Sequence, residues 1–166
     1  PQGITVSAVP LPGSPGERLG RPPKKERNIM LVRITDWHKY LGEGEKYLEL
    51  ARGAAAKRRE IFTPVIIYNV TAMAIEKYLM GLLMYHGTLA ENHTMLDLLD
   101  AVERVAGPQP QFAEDFRYLD SFQDICSLEN YRRSEPTWED IPRILACGVQ
   151  VSDFVSQAGM QAKTPN

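Results

Sequence analysis

The chain has few of the residues from which metal-binding or nucleophilic sites are built. Its 166 residues include two cysteines and three histidines. The spacing of Cys126 and Cys147 fits neither a disulfide-stapled mini-protein nor a cysteine-based zinc site, and both lie on or beside apolar stripes. His38, His86 and His93 are too scattered to form a zinc site with carboxylates. We therefore expect no metal, no cofactor and two buried, reduced thiols.

Recognisable catalytic and phosphate-binding motifs are also missing from the sequence. Neither Gly-x-Ser-x-Gly, nor a Walker loop, nor Gly-x-Gly-x-x-Gly occurs. Gly42-Glu43-Gly44 lies inside a helical pattern and has no strand before it, so we discard it as a nucleotide loop. The balance of 19 basic and 21 acidic side chains, a net charge of −2, argues against a chain that coats nucleic acid. The residues predict no specific reaction, and they favour a binding protein over an enzyme.

The charge and the prolines are unevenly distributed along the chain. Residues 1–34 carry six basic and two acidic groups, a net charge of +4, and six of the 12 prolines fall within the first 23 positions. A stretch of this composition, without apolar periodicity, predicts a flexible arm. Because it contains no apolar core of the length found in secretory signals, we expect a cytoplasmic protein. The remaining predicted parts are one domain at 35–160 and a short tail at 161–166.

Apolar residues recur at helical spacing through the domain and predict five helices. Thr35 or Asp36 is the predicted N-cap of the first helix, Pro64 starts the second and Gly87 ends it, and Thr94 caps the third. The fourth begins near Gln111 and stops before Tyr131, and the fifth, capped by Thr137, runs from about Trp138 to Ala158. No segment alternates with period two beyond a few residues. The predicted fold is all-α, an up-and-down antiparallel bundle of four or five helices.

The second helix is apolar on nearly all sides. From Val65 to His86 only Glu76 and Lys77 are charged, and the uncharged runs on either side of them are shorter than the ~20 residues that span a bilayer. We therefore expect no membrane contact. A helix of this kind is predicted to lie at the centre of its own bundle and to be covered further by a second subunit, which makes a homodimer.

Two features of the domain are candidates for a polar site. A buried carboxylate at Glu76 needs a partner, either Lys77 or an arginine or tyrosine of another helix, unless it lies on a narrow solvent-exposed strip. Arg132 and Arg133, before the last helix, can bind an anion together with the helix N-terminus. The alternative is a pair of surface charges satisfied by neighbouring acids or water.

Three short motifs, in this order, resemble the HEPN family (higher eukaryote and prokaryote nucleotide-binding domains). Ala74-Ile-Glu-Lys-Tyr-Leu-Met80 is similar to the family's Ala-x-Glu-Lys-x-Leu-Lys stretch in the second helix. His93-Thr-Met-Leu96 is similar to its His-x-Leu opening of the third helix, and Tyr131-Arg132-Arg133 with Pro136 resembles its Arg-Tyr-Pro element. The resemblance covers about residues 36–158. It implies a bundle of four or five antiparallel helices that is commonly a homodimer.

The resemblance implies a function without catalysis. HEPN ribonucleases carry an arginine followed four to six residues later by a histidine, whereas no histidine follows His93 here. Other members bind nucleotide or RNA, or pair with a small nucleotidyltransferase, in some cases as toxin and antitoxin. The implied ligand groups are Glu76, His93, Arg132 and Arg133, and any transferase is a separate chain. The alternatives are a purely structural, protein-interaction dimer and a degenerate, metal-independent ribonuclease that uses the arginines with His93 of the partner subunit.

Overall fold

The structure, a computed structural model, describes residues 34–122 and 134–158. Within these two ranges, a short 3₁₀ helix at Ile34–Asp36 leads into the first of five α-helices. These are α1 (Trp37–Lys57), α2 (Pro64–Tyr85), α3 (Met95–Ala106), α4 (Pro110–Asp120) and α5 (Ile141–Gln157). No strand occurs within these two ranges, and the predicted all-α helical bundle is confirmed.

The first two helices pack closely because glycines lie at their contact. A Cβ on Gly44 of α1 would come within 3.1 Å of the Tyr78 ring and 3.2 Å of the Ala74 carbonyl oxygen. A Cβ on Gly81 of α2 would lie 2.7 Å from Leu41 Cδ2. The early part of α1 therefore meets the late part of α2, and the two helices are antiparallel. The loss of helix propensity at Gly44 is offset by the close approach that it permits.

The central position predicted for the second helix is confirmed. α2 contacts α1, α3 and α5, and 13 of its 22 residues are buried. It is long and apolar enough to cross a membrane, the one such helix in the part of the chain described, but 61% of its most apolar window is buried in the bundle, as in a core helix. Met80 and Met84 are buried packing residues, whereas Met73 is exposed. Whether a second subunit covers α2 further stays a prediction.

The predicted helix ends are confirmed at α2 and α3. Pro64 lies in the first turn of α2, and Gly87, with φ +76°, follows its end in the left-handed region that glycine adopts easily. The Thr94 hydroxyl oxygen accepts a hydrogen bond from the backbone N–H of Asp97 at 3.1 Å. This is the N-cap that the sequence predicts for the third helix.

The prediction for the last helix was wrong by about three residues. α5 begins at Ile141, and Thr137 does not cap it. The backbone N–H and hydroxyl of Thr137 donate instead to Asp140 Oδ2, at 2.7 and 2.8 Å, and hold a turn before the helix. α4 ends at Asp120. Cys147 is buried and burial raises the pKa of its thiol to about 12, as expected for an unreactive core thiol, while Cys126 lies outside the described residues.

Candidate binding surface

Two of the predicted site residues, Glu76 and His93, meet in the structure. Glu76 lies in the middle of α2, and His93 immediately precedes the cap of α3. Their closest atoms, Glu76 Oε1 and His93 Nδ1, are 2.8 Å apart. The turn between α2 and α3 thus returns His93 alongside the second helix, where a carboxylate and an imidazole form one polar group.

The partner of Glu76 differs from those that the sequence suggested. Lys77, its neighbour in the chain, binds Glu43 of α1 instead, with Nζ 2.7 Å from Oε2, and lies over the Tyr40 ring. Partial burial acts to lower the pKa of Lys77, but the hydrogen bond to Glu43 and the attraction of its charge, together with smaller contributions of Tyr40 and Tyr47, hold that pKa above its usual value. Adjacent residues on α2 therefore face different neighbours. Lys77 faces α1, and Glu76 faces the start of α3.

The Glu76–His93 pair is accessible to a ligand. The His93 side chain is 57% exposed and that of Glu76 is 35% exposed, which places Glu76 on the solvent strip that the sequence left open as an alternative. His93 Nε2 has no partner within residues 34–122 and 134–158. With a neutral ring that donates through Nδ1 to Glu76, Nε2 is an acceptor, and with a protonated ring it is a donor.

The N-terminus of α3, next to this pair, is already occupied by protein groups. Asp120, at the end of α4, accepts hydrogen bonds from the backbone N–H groups of Met95 at 2.8 Å and Leu96 at 3.0 Å. The Thr94 hydroxyl oxygen accepts the hydrogen bond of the Asp97 backbone N–H. The helix end is therefore closed to an external anion. Sequence analysis missed Asp120 because its role depends on the packing of α4 against α3, 25 positions away in the chain.

The two helices that carry the Glu76–His93 pair also carry exposed apolar side chains. Ile66 and Met73 of α2 are 40% and 41% exposed, and Leu96 of α3 is 39% exposed. Met73 lies about one turn before Glu76 on its helix, and Leu96 lies three residues after His93. We call the exposed residues Ile66, Met73, Glu76, His93 and Leu96 of these two helices the α2–α3 strip.

The other two predicted site residues, Arg132 and Arg133, lie outside the described residues. The residues on either side of that segment, Phe122 and Ser134, line one cavity of about 80 Å³ together with Asn69 of α2. Whether the arginines belong to the same surface as Glu76 and His93 stays a prediction.

A second polar cluster, which the sequence did not reveal, joins α4 to α5. The Tyr118 hydroxyl donates to Asp140 Oδ1 at 2.5 Å, and the guanidinium of Arg143 lies 4.1 Å from the centre of the Tyr118 ring. Arg143 also binds Asp115 and Glu114, with Nε 2.8 Å from Asp115 Oδ1. Each group has its partners within the protein, so we assign this cluster a structural role. The sequence indicated only Thr137, three residues before Asp140, as the cap of the last helix.

No site for a metal ion is apparent among the residues that the structure describes. Within them, no three His, Cys, Asp or Glu side chains lie close enough together to hold one.

Comparisons with known proteins identify the fold. No protein-family model matches the sequence, and neither does any curated protein. Two solved structures match: ST0689, described as an archaeal HEPN homologue, with a TM-score of 0.53, and TT1696 from Thermus thermophilus, with a TM-score of 0.58. Each is 20% identical to this chain and is covered over 97% of its own length, with 76% and 75% of this chain aligned. The fold is therefore HEPN-like, as the three motifs implied.

Proposed function

We propose that this HEPN-like domain is a non-catalytic binding module that recognises a separate protein, of the nucleotidyltransferase kind, through the α2–α3 strip. The observation that carries the proposal is the Glu76–His93 contact at 2.8 Å. The contact forms a partly exposed polar pair on helices that also carry exposed apolar side chains. Interfaces that combine apolar contact area with a few fixed polar groups bind proteins specifically.

The composition of the chain around His93 supports a protein ligand over a nucleic acid. Residues 91–120, which contain α3 and α4, carry seven acidic and two basic side chains, and of the acidic ones Glu114 and Asp115 are bound by Arg143 and Asp120 caps α3. This stretch therefore offers few cations to neutralise a phosphate backbone, as nucleic acid binding requires. Nucleotide or RNA remains the alternative ligand, with Arg132 and Arg133 as its predicted phosphate contacts.

One observation favours a second candidate function, the metal-independent ribonuclease. A carboxylate that accepts from Nδ1 of a histidine fixes the ring and leaves Nε2 to exchange a proton with a substrate, as a general base requires. Glu76 and His93 have this geometry. A group that binds the scissile phosphate is also needed, and among the described residues no arginine or lysine contacts the pair.

Site-specific photo-crosslinking in cells tests the proposed function. A photoreactive phenylalanine analogue is placed at Met73, in the strip, or at Leu50, a similarly exposed apolar position on α1. We expect position 73 to crosslink to one protein that mass spectrometry identifies as a nucleotidyltransferase, and position 50 to give no such product. A crosslink of position 73 to RNA contradicts the proposal.

A cleavage assay distinguishes the binding module from the ribonuclease. The purified chain is incubated with an end-labelled 20-nucleotide RNA in EDTA, beside the variants His93→Ala and Arg132→Ala/Arg133→Ala. We expect intact RNA with all three proteins and no shift of melting temperature with RNA or ATP. Cleavage that is lost in His93→Ala would establish the ribonuclease instead.

A further inference from the structure

We propose that two copies of this chain associate through the outer face of α1, with the two α1 helices antiparallel and centred on Gly53. The inference goes beyond the proposed function, since it concerns α1 and not the α2–α3 strip. It also differs from the homodimer that the sequence predicts, which would use α2.

The outer face of α1 carries a groove with small residues at its middle. A Cβ on Gly53 would meet no atom within 4 Å, so the space above this residue is open. Leu50, in the same groove, is 47% exposed and offers apolar contact area. The groove has a volume of about 300 Å³ and is lined by Glu49, Leu50, Gly53, Ala54, Lys57 and Arg58. A second helix can therefore approach α1 closely at this point.

The two ends of the groove carry opposite charges. Glu49 lies four residues before Gly53, and Lys57 lies four residues after it, so each is about 6 Å from the centre along the helix axis. Arg58 adds a second cation at the positive end. All three side chains are exposed, and none of them forms an ion pair or a side-chain hydrogen bond within residues 34–122 and 134–158. Their charges are therefore available to a second molecule.

This arrangement of charges is complementary to itself. A two-fold axis at Gly53 reverses the direction of the second α1 and brings Glu49 of each copy to Lys57 and Arg58 of the other. Because the contact is isologous, the attraction occurs twice in the dimer. Packing along rows of residues four apart, as in Glu49, Gly53 and Lys57, is the commonest way in which helices cross. A second copy thus supplies by symmetry the charges that the groove requires, which identifies it as the occupant.

Two charge-reversal variants test the inference together. Glu49→Lys makes both ends of the groove positive, and Lys57→Glu/Arg58→Glu makes both ends negative. Each variant alone should dimerise at least tenfold more weakly than the wild type, because like charges then face each other. An equimolar mixture should form a heterodimer, since every positive end meets a negative one, and this also shows that both variants fold. Analytical ultracentrifugation of the full chain at about 5–200 µM measures the association.

Glu91→Lys is the matched control for the charge variants. Glu91 is exposed and lies between α2 and α3, so its reversal changes the net charge of the chain by the same amount as Glu49→Lys without altering the groove. This variant should dimerise like the wild type. Dimerisation that Glu91→Lys weakens as much as Glu49→Lys would depend on net charge alone and would contradict the α1 contact.

Two glycines of α1 test the centre of the contact. Gly53→Gln and Gly42→Gln each replace a glycine whose Cβ would meet no atom within 4 Å, and each should slightly raise the helix propensity of α1. Only Gly53→Gln should weaken the dimer, at least tenfold, because Gly42 lies 11 residues before the centre of the contact. Equal dimerisation of the two variants overturns the proposed packing.

The inference is also overturned if the wild type is monomeric at about 200 µM, or if the two charge variants do not associate when mixed. A dimer that Met73→Ser dissociates and the charge variants leave intact overturns it as well, because the interface then lies on α2. These outcomes are distinguishable from failure of the proposed function. The photoreactive residue at position 50 should crosslink to a second copy of this chain, whereas position 73 reports on the nucleotidyltransferase. Capture of a different protein at position 50 refutes the dimer and leaves the proposed function standing.

Discussion

Tyr118 and Asp140 stabilise the α4–α5 contact in a way that depends on pH. Partial burial, together with the hydrogen bond to Asp140, raises the pKa of Tyr118 to about 12. The same bond, with those from Thr137, holds the pKa of Asp140 below its usual value. The folded protein therefore favours a neutral phenol beside an ionised carboxylate, and it loses stability when either group changes its charge.

Tyr118→Phe should lower the free energy of unfolding by about 1 kcal/mol at pH 7, since it removes one hydrogen bond to a carboxylate. Above pH 10 the unfolded chain releases the Tyr118 proton while the folded protein retains it. The advantage of the wild type over the variant therefore shrinks as the pH rises towards 12. The advantage of the wild type also shrinks below about pH 4, where Asp140 takes up a proton.

Urea unfolding of both proteins between pH 3 and 11 measures this difference. Taking the difference cancels the alkaline titration of Cys147, whose pKa is also raised to about 12 and which both proteins share. A difference that stays constant across the range would show that the Tyr118–Asp140 bond contributes nothing to stability.

The sequence indicated Glu76 and His93 as residues of the candidate site but did not indicate that they contact each other. The resemblance and the isolated charge on α2 indicated Glu76 and His93. Their contact depends on the path of residues 86–93, which no local periodicity encodes, and so the proposed partners of Glu76 were wrong. The cluster around Tyr118 was missed for the same reason, because its bonds connect α4 to the turn before α5.

Asp120 connects two helices by capping the start of α3 from the end of α4. Its two carboxylate oxygens accept the N–H groups of Met95 and Leu96. Asp120→Ala should lower the free energy of unfolding by about 1–2 kcal/mol, because two backbone donors lose their partner and a negative charge is removed from the helix N-terminus. Thermal or urea unfolding provides the measurement.

Asp100→Ala is the matched control for this prediction. Asp100 is an aspartate on α3 whose ion pair with Arg104 is largely exposed, so its loss should change stability by less than about 0.5 kcal/mol. Equal effects of the two substitutions would mean that the Asp120 cap is not a significant contact between the helices.

The boundaries of the helices were predictable where local chemistry determines them and not where tertiary contacts do. Pro64, Gly87 and Thr94 act on their own helices, through a fixed φ, a positive φ and a hydroxyl acceptor, and their predictions are confirmed. Thr137 was predicted to cap α5 by the same rule. The hydrogen bond between Asp140 and Tyr118 of another helix stabilises a turn there instead, and no pattern within residues 134–158 contains that information.

At the scale of the whole molecule, burial is concentrated around α2. This helix has 13 buried residues, whereas α3 has five and α4 has three. The continuous apolar sequence of the second helix predicted its central place, because a helix that is apolar on all sides must be surrounded. The α2–α3 strip thus joins the most buried helix of the bundle to a less buried one.

Native-state hydrogen exchange should show that α2 is more stable than the less buried helices α3 and α4. Amides in the middle of α2, around Ile75 and Leu79, should exchange only through global unfolding, so their free energy of opening equals that of the whole protein. Amides of α3 and α4 should exchange at a lower free energy that is common to both helices, since Asp120 holds the start of α3 to α4. Exchange measured by NMR at increasing urea concentrations distinguishes the two classes by their denaturant dependence.

In Asp120→Ala the opening free energy of α3 should fall further than that of α2. If α3 amides are instead as protected as those of α2 and respond equally to the substitution, the bundle is a single cooperative unit and the strip is uniformly rigid.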